Sequence, residues 1–342
     1  MPDVVLGLSG GVDSTASALL LQKAGYTVHA LYLNNTGAPY DRAEAAAKAL
    51  DIDFAVLDLR ERFRVLVIEP FIDAYLRGET PNPCVSCNRQ VKFRTLFDYA
   101  DRIGAEFVAT GHYAGLDGSL IRRGAGRNDQ SYMLWQLEEA WLARLVFPLG
   151  DFADKAQVVA LASAAIPALA VPRPSMDVCF IPEGDHASFI ESQRGALPEG
   201  DFIDEEGHVL GRHRGIHRYT VGMRRHLGIA AGERMYVRKI DPEKNTVTLS
   251  PLPSPAPKVL ELRACRWFSA AKPLLKEGAT FSARVRHSRN IGTARLLSIE
   301  GERARILAFP DCGTPAPGQS AVLYDGAHLV GGGEIQTISE FS

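Results

Sequence analysis

The sequence predicts an α/β protein: an N-terminal parallel sheet, then a small central, mostly β domain and a C-terminal β-barrel or sandwich. Three observations predict it. Apolar, β-branched runs alternate with helical patterns from Val4 to Ala109, as in a parallel sheet covered by helices. A glycine pair, Gly10-Gly11, stands between the first apolar run and the first helical pattern. After Phe189 Gly and charged residues become frequent, and short β-like runs replace the helices.

The elements are expected in this order. Val4–Leu8 reads as a strand and Ser14–Ala24 as a helix that stops at Gly25. Val28–Leu33 is the second strand, Arg42–Leu50 a helix and Phe54–Leu57 the third strand. A helix over Arg62–Leu76 is followed by a break at Thr80-Pro81-Asn82-Pro83, a helix over Val91–Ile103 and a strand at Phe107–Ala109. Gly111-His112-Tyr113 then sits at the carboxyl end of that strand, where ligands of open parallel sheets collect. Met235–Ile240 and Thr246–Leu249 read as strands, the proline-rich stretch 251–257 as a linker, and Phe281–Arg286, Gly292–Ile299, Arg303–Ala308 and Ser320–Tyr324 as strands. The domains are placed at 1–190, 191–255 and 256–342.

At 342 residues, 46% hydrophobic and 23% charged, the chain has the composition of a soluble globular protein of two or three domains, which argues against disorder. No signal-peptide pattern opens it and no apolar run reaches ~18 residues, so it reads as cytoplasmic with no membrane partner. Its 5 cysteines are too few for a disulfide framework and suggest reduced thiols. The net charge of -2 decides nothing about nucleic acid, because binding depends on where Lys and Arg cluster.

Between a strand and a helix, Ser9-Gly10-Gly11-Val12-Asp13-Ser14 turns backbone N–H groups inward and adds the positive end of the helix, which suits a phosphate. No Lys follows the glycines as in a Walker loop, and their spacing is not that of a dinucleotide fingerprint. The segment resembles the PP-loop of the ATP pyrophosphatases. That resemblance implies an adenine nucleotide α-hydrolase-like domain that attaches AMP to an oxygen and then displaces it. It implies ATP held at Gly7, Leu8, Ser9, Gly10, Gly11, Val12, Asp13 and Ser14, with Asp13 catalytic, Leu33 against adenine, Gly111 completing the pocket and Mg²⁺ offsetting the charge of the leaving pyrophosphate.

Among such enzymes the cysteines choose. Thr80-Pro81-Asn82-Pro83-Cys84-Val85-Ser86-Cys87-Asn88, followed by Lys92-Phe93, and Asp177-Val178-Cys179-Phe180-Ile181 resemble the motifs of the tRNA-specific 2-thiouridylases. Gly111-His112-Tyr113, Asp129-Gln130-Ser131-Tyr132, Phe147-Pro148-Leu149-Gly150, Gly215–Gly222 and Pro317–Val322 match as well, so the resemblance covers nearly the whole chain. It implies thiolation at C2 of the wobble uridine, position 34, with Cys179 as persulfide carrier, Cys87 as its partner in a transient disulfide, and a persulfide donor such as a cysteine desulfurase or sulfur-relay protein. Two thiols also suit the chemistry, because one carries sulfane sulfur and the other attacks the resulting disulfide.

The resemblance further implies that Asn82, Pro83 and Cys84 line the entrance for a base turned out of the anticodon loop. It implies tRNA contacts at His112, Asn128, Asp129, Gln130, Arg286, His287 and Gln319. On the residues alone His112 reads equally as a loop histidine at a strand end. Arg212, His213, Arg214, His217, Arg218, Arg224, Arg225 and His226 form a basic stretch suited to phosphates, with Arg224 and Arg225 the expected tRNA contacts. Cys84 makes a C-x-x-C pair with Cys87, so an iron–sulfur cluster or a zinc ion on Cys84, Cys87 and Cys179 is the alternative to the persulfide route. Cys265 and Cys312 lack motif context and read as small buried hydrophobes. The chain departs from the family in a shortened segment between Leu33 and Phe54, in Asn128 where Lys is usual, and in Arg286-His287-Ser288-Arg289. A divergent paralogue acting on another RNA and a small-molecule amide synthetase of the same superfamily are the competing readings.

Overall fold

Val4, Val5 and Leu6 offer water no polar side chain, and the chain buries all three completely at the centre of a parallel sheet. The computed structural model describes the chain except residues 171–177, 182–184, 230–233, 252–255, 289 and 342. Strands β1 (Asp3–Gly7), β2 (Thr27–Asn34), β3 (Asp53–Asp58), β4 (Phe107–Ala109) and β7 (Leu145–Val146) form one sheet in the order β3-β2-β1-β4-β7. Every neighbouring pair is parallel, with Val4 opposite both Val28 and Phe107. The two-residue period of a strand divides the core. Val4 and Leu6 pack with Leu21 and Ala46 on one face, whereas Val5 packs with Leu96, Phe97 and Trp135 on the other.

The expected strands and helices of this domain are present, with ends shifted by a few residues. The largest shift has a local cause. Pro83 opens a helix, Pro83–Cys87, because proline lacks the N–H that a first helical residue leaves unbonded anyway. The helix therefore starts at Pro83 and not near Val91, and it continues through a wider π turn, Asn88–Phe93, into Arg94–Ile103.

The central domain is a four-stranded sheet of β8 (Gly200–Ile203), β9 (Val209–His213), β10 (Tyr236–Asp241) and β11 (Thr246–Ser250), packed on Phe202, Tyr219, Val237 and Val247. A helix, His186–Arg194, runs across the expected boundary near 190. Most of the proline-rich linker, 252–255, lies outside the described residues.

Between barrel and sandwich, the C-terminal alternatives, the pairing decides for a barrel. Strands β12 (Lys258–Trp267), β15 (Arg303–Ala308), β14 (Gly292–Glu300), β13 (Thr280–Arg284), β16 (Ser320–Asp325) and β17 (His328–Glu340) are hydrogen-bonded in that order, and β17 closes on β12. Closure leaves none of the six as an open edge. A hairpin the sequence reading did not anticipate, β5 (Ala114–Asp117) and β6 (Leu120–Arg123), extends from the N-terminal domain and pairs Arg122 with His328 of β17. The barrel residues Val322, Tyr324 and Leu329 share one core with Tyr132 and Trp135. This packing sets barrel loops against the segment that carries Cys84 and Cys87.

Candidate functional site

Where β1 ends, the chain closes a loop on itself before the helix Val12–Lys23. The Ser9 N–H donates to Ser14 Oγ at 3.2 Å, the two serine hydroxyls lie 3.1 Å apart, and Ser14 Oγ donates to the Gly11 carbonyl at 3.2 Å. Gly10 has φ +71, and a Cβ there would stand 2.5 Å from the Ala43 nitrogen, so only glycine fits. The start of the helix Asp41–Ala49 thus packs against the phosphate loop. Gly111 is needed for a different reason: a Cβ on it would sit 3.1 Å from the Asp13 carbonyl carbon, so its absence lets the end of β4 close on the helix N-terminus.

A cleft of about 300 Å³ opens here, lined by Gly7, Leu8, Ser9, Asp13, Ser14, Leu33 and Gly111 of the expected nucleotide residues, and also by Asn35, Lys92, His112 and Gln130. Gly10, Gly11 and Val12 are not among its lining residues, and Gly10 faces Arg42 and Ala43 instead. Asp13 is held on both oxygens, accepting from the Tyr113 hydroxyl at 2.7 Å and from Lys155 Nζ at 3.1 Å. Burial, reinforced by the Asp13 carboxylate, raises the Tyr113 phenol far above its usual range, so it stays a donor. Sequence alone assigns Tyr113 and Lys155 no role: Tyr113 stands in the Gly111-His112-Tyr113 motif, while Lys155 obeys no spacing rule that singles it out.

The thiols come together by packing. Cys84 and Cys87 lie on the helix Pro83–Cys87. Cys179 reaches them because Phe180 is wedged edge-on against Phe63, Phe71 and Phe189 with ring centroids 5.2 to 5.6 Å apart, and both Phe180 and Cys87 pack on the Phe63–Val67–Val91 cluster. Each of the three thiols is raised, by burial first; Lys92 opposes the rise at all three, and Cys87 is pushed up to about 12. Cys179 is the exposed member, yet the protein packed around its sulfur still disfavours the thiolate. All five cysteines are free. Cys265 and Cys312 are buried, and both are pushed up to about 12 by burial first.

The residues expected to touch RNA separate into two kinds. Asn82 caps the helix that Pro83 opens and that carries Cys84 and Cys87, and its buried amide nitrogen faces the Tyr132 hydroxyl. Gln319 is a clamp: its Nε2 donates to the Thr80 carbonyl at 2.8 Å and its Oε1 accepts from the His287 N–H at 3.2 Å. His112 is buried, bonded to Thr110 Oγ1 at 2.7 Å and stacked on Phe93 at 5.6 Å; burial first, then Lys92, keeps it neutral. Asp129 is spent internally, accepting from the Gly124 and Ser131 N–H groups, both at 3.0 Å, and from Arg284 at 2.9 Å. Gln130 Oε1 accepts from the Tyr113 N–H at 3.1 Å, and the neighbouring Asn128 is partly exposed. Arg286 is half-buried and donates to the Val221 carbonyl at 3.3 Å, whereas His287 is exposed. Of the basic stretch, Arg212 pairs with Asp201 and Arg218 with Glu191, and His213 and His217 are buried. Arg214, Arg224, Arg225 and His226 are exposed to solvent.

A glycine loop at the carboxyl end of a parallel sheet, closing on a helix N-terminus beneath a base-sized cleft, defines a nucleotide-binding enzyme of the PP-loop class. Family models match successive parts of the chain: a tRNA methyl transferase HUP domain over residues 2–183, a tRNA methyl transferase PRC-barrel domain over 187–251, and an aminomethyltransferase beta-barrel domain over 258–335. A tRNA-specific 2-thiouridylase of Caulobacter sp. (strain K31) is 41% identical, the match covering 97% of this chain and 88% of the relative. One from Caulobacter vibrioides is also 41% identical over 97% and 94%, and one from Chloroflexus aggregans 39% over 98% of each. The chain belongs to the tRNA-specific 2-thiouridylase family.

Proposed function

We propose that this protein is a tRNA-uridine 2-sulfurtransferase that uses ATP to activate the wobble uridine, position 34, and persulfide sulfur to replace its C2 oxygen. The observation that carries the reading is the junction of two compartments at Lys92. That side chain lines the phosphate-loop cleft and is the cation that opposes the raised thiol of Cys84, Cys87 and Cys179 alike.

The uridine C2 oxygen attacks the α-phosphorus of ATP. Pyrophosphate leaves with the electron pair of the broken P–O bond, its charge met by the helix N-terminus and by Ser9 and Ser14. Mg²⁺ would add charge neutralisation there. The terminal sulfur of a Cys179 persulfide then attacks C2; a C–S bond forms, the C–O bond breaks, and AMP departs with its electrons. The Cys87 thiolate attacks the Cys179 sulfur, the sulfur–sulfur bond to the transferred atom breaks, and that atom stays on C2 as the thiocarbonyl. The resulting Cys87–Cys179 disulfide needs two electrons from a thiol reductant before the next turn. A cysteine desulfurase or a sulfur-relay protein is the source of the persulfide.

On the RNA side, Arg224 and Arg225 offer charge to the phosphates, and Asn82 and Pro83 stand next to Cys84 in the chain, where a flipped-out base would enter. Among the described residues no helix is long and apolar enough to cross a membrane, and a cytoplasmic site of action fits tRNA as substrate. Nucleoside mass spectrometry of bulk tRNA from a deletion strain is the test. Loss of 2-thiouridine, restored by the wild-type gene and not by Cys179→Ser, is expected; an unchanged level would contradict the proposal.

A further inference from the structure

Phosphate groups belong beside Ser9, Asp13 and Ser14, which leaves the part of the cleft lined by Leu31, Tyr32, Leu33 and Asn35, at the end of β2, for the base. Three of these four are hydrophobic or aromatic. Asn35 is the exception, and its side-chain Oδ1 is buried with no hydrogen-bond partner. An acceptor in that state disfavours the empty cleft and favours any ligand that brings a donor to it. The backbone that carries this side chain is held in place. The Asn35 N–H donates to the Leu33 carbonyl at 3.0 Å, the Leu59 N–H fixes the Asn34 carbonyl at 2.9 Å, and the Asn34 side chain receives the Gly37 N–H at 2.9 Å.

We infer that Asn35 selects the nucleobase, its Oδ1 accepting a hydrogen bond from the exocyclic 6-amino group of adenine. The inference rests on the proposed use of a nucleoside triphosphate at this cleft and adds which base it takes. Guanine presents a carbonyl oxygen at the same position, which would set acceptor against acceptor. A purine with hydrogen at C6 leaves Asn35 as unpaired as it is in the empty protein. A site built to hydrogen-bond a ligand rejects the analogue lacking the partner far more strongly than an apolar pocket rejects a missing methylene.

The test compares tRNA-dependent pyrophosphate release from ATP, from purine riboside triphosphate, which lacks the 6-amino group, and from GTP, in the wild type, Asn35→Leu and Asn35→Asp. The wild type should prefer ATP over purine riboside triphosphate by about 10- to 100-fold in kcat/KM. Asn35→Leu should lose most of that ratio by falling with ATP alone, while Asn35→Asp, which keeps an acceptor, should retain it. Equal losses with all three nucleotides in Asn35→Leu would mean a merely structural role and overturn the inference, as would an undiminished ratio. A wild type that releases pyrophosphate from none of them would instead count against the ATP reading itself.

Discussion

The phosphate loop and the thiol site are neighbours built on opposite plans. The loop is local: Ser9, Gly11 and Ser14 bond one another within six consecutive residues, and β1 and the following helix aim their polar ends at one cleft. The thiol site is assembled from afar. Cys179 is held by the Phe180 wedge, and the Thr80 segment ahead of Cys84 is pinned by Gln319 from the barrel, 239 residues away. Electrostatics separate them too. The loop arrives with the favourable end of a helix dipole, whereas burial leaves every thiol protonated at rest. Activation chemistry is therefore preorganised, and sulfur chemistry waits for a persulfide, a base or both.

Removing one member of the local site should have the largest effect. Asp13→Ala is expected to lower pyrophosphate release by about 10²- to 10³-fold while leaving tRNA affinity nearly unchanged, measured by release kinetics beside filter binding. Unchanged release would separate Asp13 from the chemistry and undo half of the comparison.

The clamp is the next point of attack. Gly318 has φ +85, and a Cβ there would stand 2.9 Å from the Thr80 nitrogen. Gly318→Val should displace the Thr80–Pro83 segment and cut thiolation by about 10- to 10²-fold, since small misplacements of reacting groups are costly. ATP affinity, read by calorimetry, should stay at the wild-type value. A loss of ATP affinity would mean that the two plans are less separate than their contacts indicate.

Acidity sharpens the contrast further. With Cys87 raised to about 12, its thiolate fraction grows about tenfold for each pH unit across the neutral range. The disulfide-forming step, followed in single turnovers from pH 7 to 9, should rise accordingly, and the activation step should not. A flat profile for sulfur release would mean that the bound base or persulfide activates Cys87. The smallest effect is expected on the exposed arginines: reversing Arg224 and Arg225 should weaken tRNA binding and reduce the salt slope by about 0.9 per lost phosphate contact.

What was legible in the sequence follows the same division. The strand, glycine loop and helix were readable because each signal lies within a few residues of the next, and Gly10 and Gly111 are forced by contacts that only glycine allows. Tyr113 and Lys155, which hold Asp13 from 100 and 142 residues away, could not be reached by periodicity or spacing. Asp129 and much of the basic stretch carry charge that reads as available for RNA, yet the fold spends it on Arg284, Asp201 and Glu191. Charge is visible in a sequence; its partner is not. The barrel was foreshadowed by its short strands, while its closure onto β12 and its hairpin from the N-terminal domain depend on pairings between residues far apart in the chain.

The separation of the two half-reactions is tested most directly by a Cys87→Ser, Cys179→Ser double variant given ATP, Mg²⁺ and unmodified tRNA with no sulfur donor. The variant should release pyrophosphate and accumulate adenylated tRNA at up to one equivalent, detected by mass spectrometry, with no 2-thiouridine. Absence of both pyrophosphate and adenylated tRNA from correctly folded protein would contradict the account, because activation would then depend on the thiols it is held to precede.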